Sequence, residues 1–452
     1  MNEIAKNGQK QNIRLLAVKA LSDINRNGAY ANITLQDYIS KHNLADLDRR
    51  FFTELVYGVV RRRNYLDAII VNFAKRPLKK LSSMVVEILR LGIYQIIYMD
   101  KVPESAAVNE SVKLAKKLTH GLSGFVNAIL RSVIREQDRI GVEDLASNDI
   151  EVISFIYNIP LWLIDLWMGE FGRDKTEDLC AWFNQQPKLT ARINTILIDI
   201  PQCLTLLKEQ GWDVSQDSNY KDIIYINSHR GSLEKSDAVI KGYITFMDKA
   251  SMLVARLVNP QPGERVLDCC AAPGGKSMYM AALMDNTGSL MSCDIHEHKI
   301  ALMESNAQRL GISIVQTKVQ DATELPSAWK SYFDRVLVDV PCSGLGILQK
   351  KLDMRWRKDE STLSELPPLQ LAILERAAMT VKEKGYLVYS TCTLNYKENE
   401  DVVEAFLQKH KEFSIVPVGA DFPLKSNNGM ITTYPPTDDM DGFFMVKMQR
   451  IS

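Results

Sequence analysis

Two cysteines stand out by their surroundings. Cys342 lies in D-V-P-C-S-G at residues 339–344 and Cys392 in S-T-C-T at residues 390–393, after the apolar runs V-L-V and Y-L-V-Y. Such runs read as buried strands. Both thiols then sit at strand carboxyl ends, the edge of an open α/β sheet where ligands bind. Small neighbours leave the sulfurs accessible. A thiol of pKa about 8.5 is only a few per cent ionised at neutral pH. Asn395 and Glu398 are spaced to cap a following helix, whose N-terminus would favour the thiolate. A third segment, D-C-C-A-A-P-G-G-K-S at residues 268–277, follows another apolar strand and opens a helix. Gly274 and Gly275 let backbone approach a ligand at that helix start, and Pro273 stiffens the turn. Asp294 ends the next strand, 19 residues after Gly275, where a carboxylate accepts from ribose hydroxyls. Asp321 follows the third strand and is placed to meet an adenine edge. The chemistry expected is nucleophilic, beside a nucleoside-like cofactor.

The remaining cysteines have blander readings. Cys180 and Cys203 fit helix cores, and Cys269 and Cys293 fit packing positions. Cys270 begins the turn, where its backbone matters more than its sulfur. No C-x-x-C pair occurs, and seven cysteines are an odd count for a disulfide framework. H-E-H at residues 296–298 reads as a solvated helix start, so no metal is expected.

These motifs need a scaffold, and the chain has room for one. Its 452 residues, 46% hydrophobic and 24% charged, suit two or three soluble domains. No apolar stretch is long enough to span a membrane. The first residues lack the apolar core of a signal peptide, so a cytoplasmic protein is expected. The net charge of zero is unevenly spread: residues 1–140 carry 23 Lys+Arg against 13 Asp+Glu, and the rest 32 against 42. A basic first third suits a phosphate-backbone binder, or else a solvated helical surface.

Residues 11–137, within an expected helical domain 1–140, have apolar positions at helical spacing throughout, with Arg49, Arg50, Arg61, Arg62 and Arg63 near aromatic residues. Arginine suits phosphate contacts and stacking on bases. Residues 138–150 read as a linker, and the stretch 141–245 mixes helices with two short strands as a small α+β module. From residue 246 to 452 strands and helices alternate, from R-V-L-D-C to a last strand in G-F-F-M-V-K-M, as in a doubly wound sheet.

The three motifs, in this order, resemble the RNA cytosine-C5 methyltransferases that use S-adenosylmethionine, through Pro341-Cys342 and Thr391-Cys392. The helical start, especially F-T-E-L-V-Y-G-V-V-R-R-R, resembles the NusB antitermination factor. The combination is similar to the bacterial RsmB (Sun/Fmu) type, which modifies small-subunit ribosomal RNA. The resemblance spans nearly the whole chain. It implies an all-α NusB-like RNA-binding domain, a small ferredoxin- or RRM-like module and a Rossmann-like methyltransferase domain. It implies Cys392 as the nucleophile on cytosine C6, Cys342 as the group that assists proton loss and release, and Asp339 as the residue that orients the base and touches the methionine end of the cofactor. S-adenosylmethionine would lie on Cys270, Ala271, Ala272, Pro273, Gly274, Gly275, Lys276, Asp294, Asp321 and Asp339. One departure is visible: where the family commonly carries His-Pro-Asp before a tryptophan, this chain has Lys351-Leu352-Asp353. Charge and Trp356 remain, so Lys350, Lys351, Arg355 and Trp356 join Arg61, Arg62 and Arg63 as expected RNA contacts. A monomer acting on ribosomal RNA is expected. The competing readings are action on another RNA, an RNA-binding assembly factor with an inactive α/β domain, and an NAD-dependent oxidoreductase. The intact thiols and turn disfavour the inactive domain; the missing G-x-G-x-x-G disfavours the oxidoreductase.

Overall fold

The computed structural model describes residues 12–26, 29–137, 141–230, 233–419 and 421–451. The start of the chain and residues 138–140 of the expected linker lie outside them. The chain divides into two compact units: residues 1–184 with 351–357, and residues 185–350 with 358–452.

The first unit is helical. Its central helix, Ser83–Tyr98, is apolar on nearly every face and buried from Val85 to Ile96. Helices Ile13–Arg26, Asp46–Arg61, Arg63–Ala74, Glu104–Leu118 and Ser123–Glu136 belong to the same core. Glu87 and Arg90 are buried on the central helix, which a charge tolerates only when paired. Arg90 forks onto Asp67 at 2.6 and 2.7 Å and reaches Glu87 at 2.7 Å. Helices Asp149–Tyr157, Leu161–Phe171 and Arg173–Asn184 group here, whereas the sequence suggests them with the α+β module. The Asn158 side chain accepts the Tyr65 N–H at 3.2 Å, and Asn64 bonds Ser154, so polar contacts as well as apolar ones join them.

The second unit holds two sheets. The smaller is antiparallel, in the order β2-β3-β1-β4, from β1 (Leu189–Ile193), β2 (Asp213–Gln216), β3 (Ile223–Ser228) and β4 (Ile244–Phe246). β2 carries a single apolar residue and β4 is only three residues long, too little to be read from sequence. Asp222, just before β3, accepts from Arg256 at 2.6 Å and Tyr279 at 2.7 Å, and Asn194 donates to the Leu310 carbonyl at 2.9 Å. These bonds fasten the small sheet to the layer beside the large one.

The large sheet runs β10-β12-β9-β8-β5-β6-β7, with β11 added on β12. Its parallel core is β5 (Arg265–Asp268), β6 (Ser289–Asp294), β7 (Val315–Val319), β8 (Phe333–Asp339) and β9 (Val381–Thr391). β10 (Phe413–Ile415), β11 (Met430–Thr432) and β12 (Phe444–Arg450) are antiparallel additions. The strand order reverses between β5 and β8, which is where a doubly wound sheet opens its ligand crevice.

Candidate active site

The parallel register brings four strand ends together at the reversal: Asp268 of β5, Asp294 of β6, Asp339 of β8 and Ser390-Thr391 of β9. The turn after β5 folds back on itself. Gly274 has φ +98° and heads the helix Gly275–Leu283; a Cβ there would lie 3.0 Å from Met303. Glycine meets both demands. The turn is also pinned from β6: the Ala271 N–H donates to the Cys293 carbonyl at 2.7 Å, and the Ala272 N–H to Asp294 Oδ2 at 3.3 Å. Asp294 Oδ1 accepts the His296 N–H at 3.0 Å. Asp321 sits beyond β7, where Thr323 donates its hydroxyl at 2.7 Å and its N–H at 2.8 Å and holds the carboxyl below its ordinary pKa.

Asp268 is buried, and burial first, then the Asp339 charge, pushes its carboxyl up to about 7 despite a 2.6 Å bond from Ser277. Its Oδ1 has no partner among the described residues. A spare acceptor beside a glycine turn and the Asp294 carboxylate fits a ligand with ammonium and hydroxyl donors.

Asp339 holds one partner on each oxygen. Oδ2 accepts Lys276 Nζ at 2.7 Å and Oδ1 accepts the Ser390 hydroxyl at 2.7 Å. Burial alone would lower Lys276, but Asp339 more than offsets it and the ammonium is stabilised. The helix after β5 and the ends of β8 and β9 are thereby tied at one carboxylate.

The two thiols meet. Cys342 Sγ lies 3.0 Å from Cys392 Sγ, and the Cys392 N–H points at Cys342 Sγ at 3.3 Å. The Cys342 thiol is raised well above its ordinary pKa, first by its bond with Cys392, then by burial and by the Cys392, Glu398 and Asp339 charges. Gly346 lets its loop pass the C-terminal strand: a Cβ there would overlap the Gly442 carbonyl, while the Gly346 N–H bonds the Cys392 carbonyl at 3.0 Å.

One expectation fails beside Cys392. Asn395 caps only the three-residue 3-10 turn Tyr396–Glu398, and the α-helix begins at Glu400 with Asn399 before it. Glu398 caps nothing, since its side chain is bonded elsewhere. Cys269 and Cys293 are buried in the core, as expected, as are Cys180 and Cys203.

The expected RNA contacts divide. Arg355 is buried; its guanidinium donates to the Phe183 carbonyl at 2.7 Å and Asn184 Oδ1 at 2.9 Å, and burial pushes it down to about 9. It holds the first unit together and presents no surface to RNA. Trp356 Nε1 donates to the Val60 carbonyl at 3.0 Å, and the Arg63 guanidinium covers the ring at 5.5 Å from its centre. Both are engaged internally, and Arg63 also bonds Asn25 at 3.1 Å. Arg62 stacks on Tyr98, Arg61 is half-buried, and Lys351 begins the turn Leu352–Trp356. Lys350 is paired with Asp248 and, at 2.9 Å, with Asp441. The sequence reading passed over Lys75, Arg76, Lys79 and Lys80, all exposed after the helix Arg63–Ala74. The R-P-L-K-K run there was their signal. Asp268 and Ser390 lie within two of the motifs without having been expected as site residues, and Glu398 was expected only as a helix cap, because no spacing rule gives its bonding partners.

A parallel sheet with a nucleoside-type turn at its reversal, joined to a small antiparallel module and preceded by a helical unit, defines a Rossmann-like methyltransferase with a NusB-type N-terminal domain. Residues 255–449 match the family described as 16S rRNA methyltransferase RsmB/F, 11–135 the NusB family, and 159–231 the ferredoxin-like domain of RsmF/B-like methyltransferases. The chain is 35% identical to the probable ribosomal RNA small subunit methyltransferase B of Bacillus subtilis, covering 98% of this chain and 99% of that one. It is 38% identical to the protein of the same description from Synechocystis, covering 97% and 99%. The chain belongs to this family of ribosomal RNA small subunit methyltransferases. Among solved structures, PH0851 matches with TM-score 0.82 and 26% identity, covering 97% of this chain and 100% of that one. NSun6 from Pyrococcus horikoshii, solved with SFG, shares the fold at TM-score 0.60 and 20% identity, covering 65% and 98%.

Proposed function

We propose that this enzyme transfers a methyl group from S-adenosylmethionine to C5 of a cytosine in small-subunit ribosomal RNA, through a covalent bond between Cys392 and the base. The observation that carries this is the thiol pair, 3.0 Å apart, beside a carboxylate held by Lys276 and Ser390. The presence of SFG, an analogue of S-adenosylmethionine, in the NSun6 structure supports the choice of cofactor. The cofactor supplies an electrophilic methyl group on a sulfonium. Asp268, Asp294, Asp321 and the turn 270–276 would hold it, with Asp294 accepting from the ribose hydroxyls.

Cys392 adds as thiolate to cytosine C6, which makes C5 nucleophilic toward the methyl group. Asp339 accepts from the cytosine amino group, a pairing acidic side chains make with this base. After transfer, C5 loses its proton and the Cys392–C6 bond breaks, restoring the aromatic base and the thiolate. Cys342 serves that second half. At rest its thiol keeps its proton beside Cys392. Cys342, 3.0 Å from the sulfur that has bonded the base, passes its proton to solvent water and, as thiolate, takes the proton of C5. The exposed cations Lys75, Arg76, Lys79 and Lys80, with Arg61, Arg62 and Lys351, are proposed to attract the RNA; the enzyme acts as a monomer in the cytoplasm.

The test is incubation of the purified enzyme with methyl-labelled S-adenosylmethionine and unmodified 16S ribosomal RNA, followed by mapping of the modified base. Label in 5-methylcytosine is expected. Label on another atom, or none with RNA from a strain lacking the enzyme, overturns the reading.

A further inference from the structure

Glu398 is fully buried, and its carboxylate takes four hydrogen bonds from three separate stretches of chain. Oε2 accepts the Ser343 N–H at 2.8 Å and Gln370 Nε2 at 2.9 Å. Oε1 accepts the Ser343 hydroxyl at 2.5 Å and Asn395 Nδ2 at 3.0 Å. A carboxylate offers about four acceptor positions, and all are filled. Ser343 adjoins Cys342. Asn395 lies three residues past Cys392. Gln370, on the helix Thr362–Ala378, also donates to the Pro341 carbonyl at 3.0 Å, just ahead of Cys342. The grip extends on both sides. The Ser343 hydroxyl meets that of Thr393 at 2.7 Å, the Tyr389 hydroxyl donates to the Glu398 carbonyl at 2.6 Å, and Asn399 bonds Thr391 and the Thr393 carbonyl at 2.6 and 3.0 Å.

A buried carboxylate is costly unless its lone pairs are satisfied, and an apolar side chain would fill the space without that cost. What the carboxylate adds is a simultaneous hold on two loops whose cysteines are 50 residues apart in sequence. Neither loop is fixed by a strand beyond Asp339 or Thr391.

We propose that Glu398 is a positioning residue for both thiols: it locks the loop of Cys342 against the loop of Cys392 and so sets the gap across which the pair works. This rests on the reading that the two thiols act in one reaction. The amide of Glu398→Gln places an NH2 where the carboxylate accepts, so it opposes donors on at least one side. Glu398→Ala removes the hold entirely. Reactions of this kind lose about a hundredfold in rate from a misplacement of about 1 Å.

The test reads the gap directly and the reaction separately. Diamide joins two thiols, its azo group taking up the two electrons and two protons they release. In the parent enzyme it should form the Cys342–Cys392 disulfide rapidly, read by peptide mass mapping. In Glu398→Gln and Glu398→Ala the rate should fall tenfold or more. Charge alone would act oppositely, because Glu398 helps to hold the Cys342 thiol up, and its loss would yield more thiolate. In the same variants kcat for methyl transfer should fall at least tenfold while KM for RNA and cofactor stays within about twofold. Asn395→Ala cuts one of the four bonds to the carboxylate, together with the cap of the turn Tyr396–Glu398, and should give intermediate values in both assays; it serves as the second variant if Glu398→Ala does not fold. Parental cross-linking or parental kcat in Glu398→Gln overturns the positioning role. A parent that cross-links normally but methylates no cytosine overturns the proposed function and leaves the clamp standing.

Discussion

Charge does different work at the sheet edge and in the helical unit. At the edge, charged groups are few, largely buried and committed: Lys276 to Asp339, Asp339 also to Ser390, Asp268 to Ser277. In the helical unit the surplus positive charge splits. Arg63, Arg90 and Arg355, conspicuous in sequence or central in the core, are spent on internal partners, while Lys75, Arg76, Lys79 and Lys80 face solvent. The same interaction between two charges grows severalfold as the surroundings become less polar, whereas exposed charges are screened within about 8–10 Å at physiological salt. Fixed, desolvated groups can therefore shift a thiol or orient a base. Exposed ones can attract a polyanion and little more, and counting basic residues does not tell the two apart.

The comparison is broken most severely at the thiols. Cys392→Ala should abolish methyl transfer in a labelled-methyl assay while calorimetry finds cofactor affinity nearly unchanged, since no assigned cofactor contact uses that sulfur. Retained turnover would remove the chemical distinction of this edge. Cys342→Ala should slow turnover by orders of magnitude and accumulate an enzyme–RNA adduct that survives a denaturing gel. The adduct should vanish when Cys392 is also replaced. Normal turnover without adduct would reassign Cys342.

Smaller effects sharpen the contrast. Asp294→Ala should weaken cofactor binding by about tenfold, because a hydrogen bond to a charged group is worth about 1.5–3 kcal/mol; unchanged affinity in calorimetry would place the ribose elsewhere. The smallest effect per residue belongs to the exposed cations. Replacing Lys75, Arg76, Lys79 and Lys80 by Ala should weaken RNA binding severalfold and flatten its salt dependence, since each neutralised phosphate releases counterions. Cofactor affinity should not move. Filter binding at several salt concentrations reads this, and a parental salt slope would assign this face to another purpose.

Much of the edge was legible in the chain itself. An apolar run followed by a small-residue turn fixes where a parallel strand ends, so Asp294, Asp339, Cys342 and Cys392 could be placed on one edge without coordinates. The fold class and the basic helical start were legible for the same reason: periodicity and composition are local properties. The short strands β2, β4, β10 and β11 were not, because each is held by its neighbours in the sheet and hardly by its own sequence.

Tertiary structure decided the partners. Asn395 and Glu398 have the spacing of a helix cap, yet the buried carboxylate is taken by Ser343, Gln370 and Asn395. Arg355 has the look of a surface cation beside Trp356, yet it donates to carbonyls more than 170 residues away in sequence, at Phe183 and Asn184. The sequence by itself determined which groups capable of chemistry stand at strand ends and helix starts. Which charge is buried, and what satisfies it, was decided only when distant segments packed, because the cost of taking a charged group from water must be met by whichever partners the fold brings within about 3 Å.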